Sequence, residues 1–441
     1  MVYLAIPPQF FLQSCELVHR YLRPQALEVI PDPFFRVVVE KPFGRDLESA
    51  HELATRLRQI YDGEPLIRLQ DKELYVMDHY AGKPVVQALR SYLELNTAVL
   101  HPIWNTRYIR DIHIEMTETA TLRNRVNYFH STGIIRDVMV NHLQFLLGVV
   151  VSPSFDPEIY ATSTQSGEFA EALHDAQLRF IKGLRWSQQQ PSLFVAQYDE
   201  YAAHYQQETG HNHDSSDHVT ATAAIVELTN SLEEWKNTTF HLAAAKATAK
   251  RLLQVTVTFR DDVLPFDKNE QPCIFKVIIQ QALNADTHQS HRIEWLCDIS
   301  KVLPHSRLPD DWEYLNFSDQ RAITPKRSSL TSTYLEDAAG WDLGDERSAY
   351  DILLHEVAAG ATEHFADLDE VETAWTLWTP IVHAAETSAL PSNFGSDIDL
   401  HVETNQLQVV RALYPAGTSP WKQLYASLKV TDNFPRAKEE L

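Results

Sequence analysis

Phe35-Arg36-Val37-Val38-Val39-Glu40-Lys41-Pro42-Phe43-Gly44 is the most telling stretch of the chain. Its first half is a β-branched and aromatic run, the pattern of a strand covered on both faces. Its second half ends that strand in an acid, a lysine and a Pro-Phe-Gly turn, and ligands of parallel α/β sheets gather at the carboxyl ends of strands. Upstream, Val2 to Ile6 is a second apolar run, ended by Pro7-Pro8, and reads as a buried strand. A helix is expected between them, from about Phe10 to Leu22. Downstream, Asp46 can cap another helix, with Leu47, Leu53, Leu57 and Ile60 near one side. Strand, helix, strand, helix is parallel α/β logic. Two strands make half a layer, so residues 1–75 read as part of a domain.

Beyond about Lys72 the texture changes. In Asp111 to Thr117, Ile112, Ile114 and Met116 alternate with His113, Glu115 and Thr117. Gln254 to Arg260 repeats the pattern with Val255, Val257 and Phe259. Such alternation suits an antiparallel sheet with one face packed and one wet. Helices are expected at Gly133 to Val151, Val219 to Trp235, Ser348 to Val357 and Glu370 to Ala385. Gln206 to His218 and Arg307 to Ser332 read as loops. The fold class is α+β, with a large, mostly antiparallel sheet and its helices in residues 76–441.

Composition narrows the function. A length of 441 residues suggests two or three domains, and 44% hydrophobic with 22% charged residues is ordinary for a globular chain. Apolar runs such as Phe145 to Val151 are too short for a membrane span, and Met1 to Pro8 lacks the features of a secretory signal. Lys+Arg 38 against Asp+Glu 60, a net charge of -22, disfavours nucleic acid. A few local lysines can still welcome an anionic small substrate. With Gly only 13, no G-x-G-x-x-G occurs, and Gly82-Lys83 has Met77 where a Walker loop needs glycine. Cys15, Cys273 and Cys297, an odd number without a C-x-x-C pair, suggest a reducing compartment, the cytoplasm, with neither a disulfide framework nor a thiolate metal site. His204, His211, His213 and His218, with Asp214 and Asp217, read as a solvated polar loop rather than a metal site.

Several segments gather groups that suit a sugar or phosphate site. Asp78-His79-Tyr80-Ala81-Gly82-Lys83 supplies an acid, an imidazole, a phenol and an ammonium within a turn or two. Arg136-Asp137 and Asn141-His142 interrupt an otherwise apolar helix, and buried polar groups need partners or a cleft. Taken singly, each has a bland reading: His142 a satisfied histidine, Lys41 a strand end, Asp78 a helix cap.

Jointly they resemble the glucose-6-phosphate dehydrogenase family. EKPFG stands unchanged at Glu40 to Gly44, followed by a D-L-x-S-A segment at Asp46 to Ala50. The family's D-H-Y-L-G-K is similar to Asp78 to Lys83, with Ala81 replacing leucine. Its W-N-x-x-x-I matches Trp104, Asn105 and Ile109. Its G-x-x-R-D-x-x-x-N-H matches Gly133, Arg136, Asp137, Asn141 and His142. Fainter likeness continues through Ala196-Gln197-Tyr198, Trp235, Phe240, Lys246, Arg251, Asp369-Glu370, Trp375 and Pro380 to His383. Departures stand at Asn237, Thr239, Ala243 and Ala245.

The resemblance implies oxidation of glucose 6-phosphate by NADP, with His142 as general base and Asp78 orienting it. It places Lys41, His79, Tyr80, Lys83, Glu118, Asp137, Lys246, Arg251 and Gln280 around the substrate, and Phe11 and Lys41 at the cofactor. It also implies a truncated Rossmann-like piece. The family's G-x-x-G-x-L phosphate loop and its arginine precede Y-L-A-x-P-P, here Tyr3 to Pro8, so they are expected to be absent from this chain. A second, structural NADP site is disfavoured by Ala243, Leu252 and Ile278. A homodimer or homotetramer through the large sheet is expected, with no membrane or nucleic-acid partner and no metal. The alternative is a non-catalytic sugar-phosphate-binding or regulatory partner of a full-length dehydrogenase.

Overall fold

The computed structural model describes residues 1–23, 35–61, 72–161, 166–187, 192–211, 220–261, 272–282, 292–297, 312–317, 320–325, 346–387 and 409–421. Its amino-terminal part is a parallel sheet in the order β1-β2-β3, formed by β1 (Val2–Leu4), β2 (Val37–Glu40) and β3 (Leu74–Met77). Val38 pairs with Tyr3 on one side and Tyr75 on the other. Val37, Val38 and Val39 are fully buried, as a β-branched run covered on both faces requires. Helix α1 (Phe11–Leu22) follows β1 and α2 (Leu47–Tyr61) follows β2. β1 is less buried than expected, with Val2 and Tyr3 half-exposed. The third strand is an addition to the sequence reading, and a boundary after residue 75 would cut it. Four consecutive buried residues are too few for periodicity to declare a strand.

The large sheet runs β12-β13-β11-β10-β9-β4-β8-β7-β6-β14, with β5 paired to β7. Its strands are β4 (Ile109–Thr117), β5 (Leu184–Trp186), β6 (Leu193–Tyr198), β7 (Ala223–Asn230), β8 (Thr239–Ala245) and β9 (Arg251–Phe259). They continue with β10 (Ile274–Ala282), β11 (Arg292–Trp295), β12 (Trp312–Phe317), β13 (Gln320–Pro325) and β14 (Val409–Tyr414). Pairing is mostly antiparallel, as expected, while β4–β8 and β6–β14 run parallel. One face carries the fully buried Ile112, Ile114, Phe240, Leu242, Val255 and Val257. The opposite face is polar but not wet. Glu115 and Thr117 are 8% and 4% exposed, and Trp421 Nε1 donates to Glu115 Oε1 at 2.7 Å.

Three expectations are corrected. Val219 to Trp235 was expected as helix but contains β7, whose Ala223, Ala224, Ile225 and Val226 are buried between β6 and β8. Apolar alanines favour helix in isolation, and the sheet's burial overrides that preference. The expected loop Arg307 to Ser332 holds β12 and β13, and its remainder lies outside the described residues. Cys273 and Cys297 are disulfide-bonded, with Cα atoms 5.1 Å apart. The antiparallel β10–β11 register, in which Phe275 faces Trp295, brings them opposite each other. The cysteine count therefore gives no argument for a reducing compartment. In the polar segment Gln206 to His218, the helix Tyr201–Thr209 ends at left-handed Gly210, and residues 212–218 lie outside the described residues.

Five longer helices frame the site. They are α3 (Pro84–Leu95), α4 (residues 135–151), α5 (Ser166–Gly183), α6 (Glu346–Ala359) and α7 (Leu368–Glu386). In α4 the first part, Ile135–Leu143, is π-helical and the second, Gln144–Val151, is α-helical. Ile135–Ser154 is long and apolar enough to cross a membrane by length and composition, yet 78% of its most apolar stretch is buried inside this chain. That is the behaviour of a core helix.

Candidate active site

β3 delivers Asp78 to the N-cap of a short 3₁₀ turn, His79–Gly82, where its Oδ1 accepts from Tyr80 N at 3.0 Å. The π-helical part of α4 brings His142 to the same carboxylate, with Nδ1 2.7 Å from Oδ1. Lys41, just past β2, places Nζ 3.5 Å from Asp78 Oδ2. Burial alone would raise the Asp78 carboxyl, but the charges of His142 and Lys41 and the His142 hydrogen bond hold it well below the usual carboxylate range. An ionised Asp78 accepts from Nδ1–H, so the neutral ring keeps its lone pair on Nε2. Tyr80 stacks on His142 with centroids 4.0 Å apart and planes 15° apart, while His79 meets it edge-on at 4.7 Å.

The neighbours are tuned as donors. Burial, helped by the His142 and Lys83 charges, pushes the His79 imidazole down to about 3, so it is neutral at ordinary pH. Burial, with Glu118 and Asp78 nearby, raises the Tyr80 phenol well above its usual value. Tyr80 Oη donates to Met116 Sδ at 3.3 Å, and Lys83 Nζ lies 4.6 Å from the centre of the Tyr80 ring. Gly82 is forced by close approach: a Cβ there would lie 2.2 Å from the Ala349 carbonyl oxygen of α6.

A second cluster forms where β4 and β8 end side by side, Thr117 facing Ala245. Lys246 Nζ is 2.5 Å from Glu118 Oε2 and 3.1 Å from Asp137 Oδ2. Burial would lower the Lys246 ammonium, but the two carboxylates outweigh it and raise it. Burial likewise would raise Glu118, and Lys246 instead holds it low. Arg251 opens β9 next to Leu252, which pairs with Thr117, and is close enough for its charge to act on Tyr80 and Glu118. Gln280, on β10, is buried.

Most expected site residues thus gather around the carboxyl ends of β2, β3, β4 and β8. Phe11 does not: it is 1% exposed and packs in the main core, presenting no surface to a cofactor. Sequence reasoning missed the contribution of α6 and α7. Tyr350 of α6 stacks on His79 at 6.0 Å and donates to Glu40 Oε2 at 3.0 Å. A tyrosine in an ordinary helix carries no signal of that role. Asp78, His79 and His142 offer three ligand atoms within 4.8 Å of one another, and the Asp78–His142 bond already engages Oδ1 and Nδ1. His204, on the helix Tyr201–Thr209, is instead buried between Tyr198 Oη and Arg123 Nε, at 3.0 and 2.8 Å.

Comparison with known proteins identifies the family. The family model described as "Glucose-6-phosphate dehydrogenase, C-terminal domain" matches residues 92–408, and "Glucose-6-phosphate dehydrogenase, NAD binding domain" matches 1–88. The chain is 25% identical over 388 residues to the human "GDH/6PGL endoplasmic bifunctional protein", covering 87% of this chain and 44% of that one. It is 26% identical over 390 residues to the "Glucose-6-phosphate 1-dehydrogenase" of Caenorhabditis elegans, covering 87% and 64%. With the protein of that name from Dictyostelium discoideum the figures are 27% over 401 residues, covering 90% and 70%. The chain therefore spans less than half of the human relative and less than two thirds of the nematode one. In fold it is similar to a "Glucose-6-phosphate dehydrogenase in complex with its substrate glucose-6-phosphate", with a TM-score of 0.64, 22% identity and coverage of 97% and 75%. A "Glucose-6-phosphate 1-dehydrogenase from Mycobacterium avium" gives 0.61, 22%, 94% and 72%.

Proposed function

Because the chain belongs to the glucose-6-phosphate dehydrogenase family, we propose that it oxidises the C1 hydroxyl of glucose 6-phosphate to 6-phosphogluconolactone, with NADP as hydride acceptor. The observation that carries the reading is the 2.7 Å bond between His142 Nδ1 and Asp78 Oδ1. Removing hydride from C1 requires a base for the hydroxyl proton as the carbonyl forms. His142 Nε2 takes that proton, while Asp78 fixes the tautomer and stabilises the resulting imidazolium.

His79, Tyr80 and Lys83 bind the phosphate, two neutral donors and one cation around a dianion. Glu118 and Asp137, held by Lys246, accept from sugar hydroxyls, and Arg251 with Gln280 completes the substrate shell. Glu40 and Lys41, at the carboxyl end of β2, suit a nicotinamide group next to the sugar; the buried Phe11 does not. When bound, NADP supplies the two-electron acceptor. Assembly as a homodimer or homotetramer through the large sheet, in the cytoplasm, belongs to the same proposal.

The test combines glucose 6-phosphate calorimetry with absorbance of reduced NADP on purified protein. Binding with turnover supports the reading. Binding without turnover favours a non-catalytic sugar-phosphate partner of a longer dehydrogenase. In an active preparation, His142→Asn should cut kcat by about 10²–10⁴-fold and leave affinity nearly intact. An equal loss of affinity would assign His142 a binding role instead.

A further inference from the structure

His174 lies on α5, away from the substrate cluster, with its side chain 9% exposed. Its Nδ1 is 3.0 Å from Glu370 Oε1 and its Nε2 is 3.1 Å from the Thr362 carbonyl oxygen. Both partners accept, and a neutral imidazole has only one N–H. Only the imidazolium satisfies both against an ionised Glu370. The other charged groups facing the ring are Asp367, whose Oδ2 is 4.0 Å from Nδ1, and Lys72, which pairs with Asp367.

The groups His174 holds reach the catalytic pair. Thr362 begins the segment leading to Asp367. Within it, Ala366 N donates to Val76 O at 3.2 Å, forming an antiparallel bridge to β3. Phe365 packs with Tyr75, Met77 and Ala81. Gln87, beside His364, donates to the Ala81 carbonyl at 2.6 Å. Val76 and Met77 run directly into Asp78, and Ala81 lies in the turn after it. From Glu370, α7 continues to Trp375, whose Nε1 donates to Phe43 O at 2.8 Å beside Lys41.

We propose that His174 is a positioning residue: its imidazolium fastens the segment from Thr362 to Asp367, with the start of α7, against β3, and so fixes Asp78 relative to His142. This rests on the reading of Asp78 and His142 as the acid–base pair. Burial opposes the charge on His174, but the Glu370 bond and the charges of Glu370 and Asp367 outweigh it and raise the ring above its ordinary value. The raised ring keeps the clamp charged to higher pH than an ordinary histidine would, and deprotonation on the alkaline side releases it.

The experiment compares full-chain wild type, His174→Gln and His174→Arg across pH. It reads kcat and KM for glucose 6-phosphate, the thermal midpoint, and the downfield proton resonance of the Asp78–His142 bond, assigned by its loss in Asp78→Asn. In His174→Gln, kcat should fall by about 10–10²-fold with KM within about 2-fold, and the resonance should broaden away while the chain stays folded. His174→Arg should restore both and remove the alkaline decline of the wild type. A wild-type resonance and pH profile in His174→Gln would overturn the proposal. If wild type lacks turnover but its resonance vanishes in His174→Gln, the dehydrogenase reading fails and the clamp stands. If the resonance ignores His174→Gln, the clamp fails whatever the turnover.

Discussion

Trp375 and Phe43 are joined by a 2.8 Å hydrogen bond from the indole Nε1 to the main-chain carbonyl, linking α7 to the turn that follows β2. The two residues are 332 positions apart, and the bond is buried. A late helix thereby holds the Lys41-Pro42-Phe43 backbone that presents Lys41 to Asp78. Trp375→Phe keeps much of the apolar volume and deletes the donor. It should cost about 1–3 kcal/mol for the orphaned carbonyl, lowering the thermal midpoint and weakening turnover more than glucose 6-phosphate affinity. A wild-type midpoint and kcat would show that the bond is not what holds the turn.

Lys246 should be the most consequential single cation in the sugar cluster. It lies between Glu118 and Asp137, so Lys246→Met leaves two carboxylates facing each other without their shared counterion. Breaking such a partly buried set should destabilise by about 3 kcal/mol, and calorimetry should register a large loss of glucose 6-phosphate binding. Adding Glu118→Gln to Lys246→Met should recover much of the stability without recovering the binding. Recovery of both would mean the lysine serves the fold alone.

Gly82→Ala tests the seating of α6 on the phosphate turn. The new Cβ would stand 2.2 Å from a backbone oxygen, which cannot rotate aside. The expected loss is about 1–3 kcal/mol from overpacking, seen as a lower unfolding midpoint with reduced substrate affinity. A neutral effect would place α6 farther from the turn.

Acid should destabilise the chain in part through His79. Its folded value, about 3, lies below the ordinary histidine value of 6.5. The unfolded chain therefore takes up this proton first as pH falls. Stability fully present above 6.5 is lost progressively down toward about 3. The thermal midpoint should decline across that window, and His79→Gln should make the decline shallower. An identical slope in the variant would exclude His79 as a contributor.

The local patterns were the readable part. A β-branched run ending in Glu40-Lys41 foretold β2, and strict alternation foretold β4 and β9, because both signals are written in neighbouring residues. The short motifs also located Asp78 and His142 as candidates before their 2.7 Å contact was known. Less readable were features created by packing between distant segments. β7 carries a composition compatible with helix and becomes a strand because β6 and β8 flank it. His174–Glu370, Tyr350–His79 and Cys273–Cys297 each require a register or crossing that no local period encodes. Phe11 shows the converse: the resemblance placed it at a cofactor, while its ring lies buried in the core.

The π-helical stretch Ile135–Leu143 also sets how this site tolerates length changes. In an α-helix, residues five apart, such as Asp137 and His142, would diverge by about 140° around the axis. Bonding from i to i+5 instead winds more residues into each turn and narrows that angle, which brings the sugar-facing carboxylate and the base toward one side. Rewinding the intact segment to 3.6 residues per turn would spread the two by that α-helical angle, whereas removing one residue between them would leave them four apart, about 40° around the axis. Such a deletion should preserve the helical circular dichroism and keep the two groups on one face, while an insertion at the same place would set them six apart, about 120° around the axis, and should abolish turnover. The reading frame of this helix is thus as much a determinant of the chemistry as the identity of its side chains.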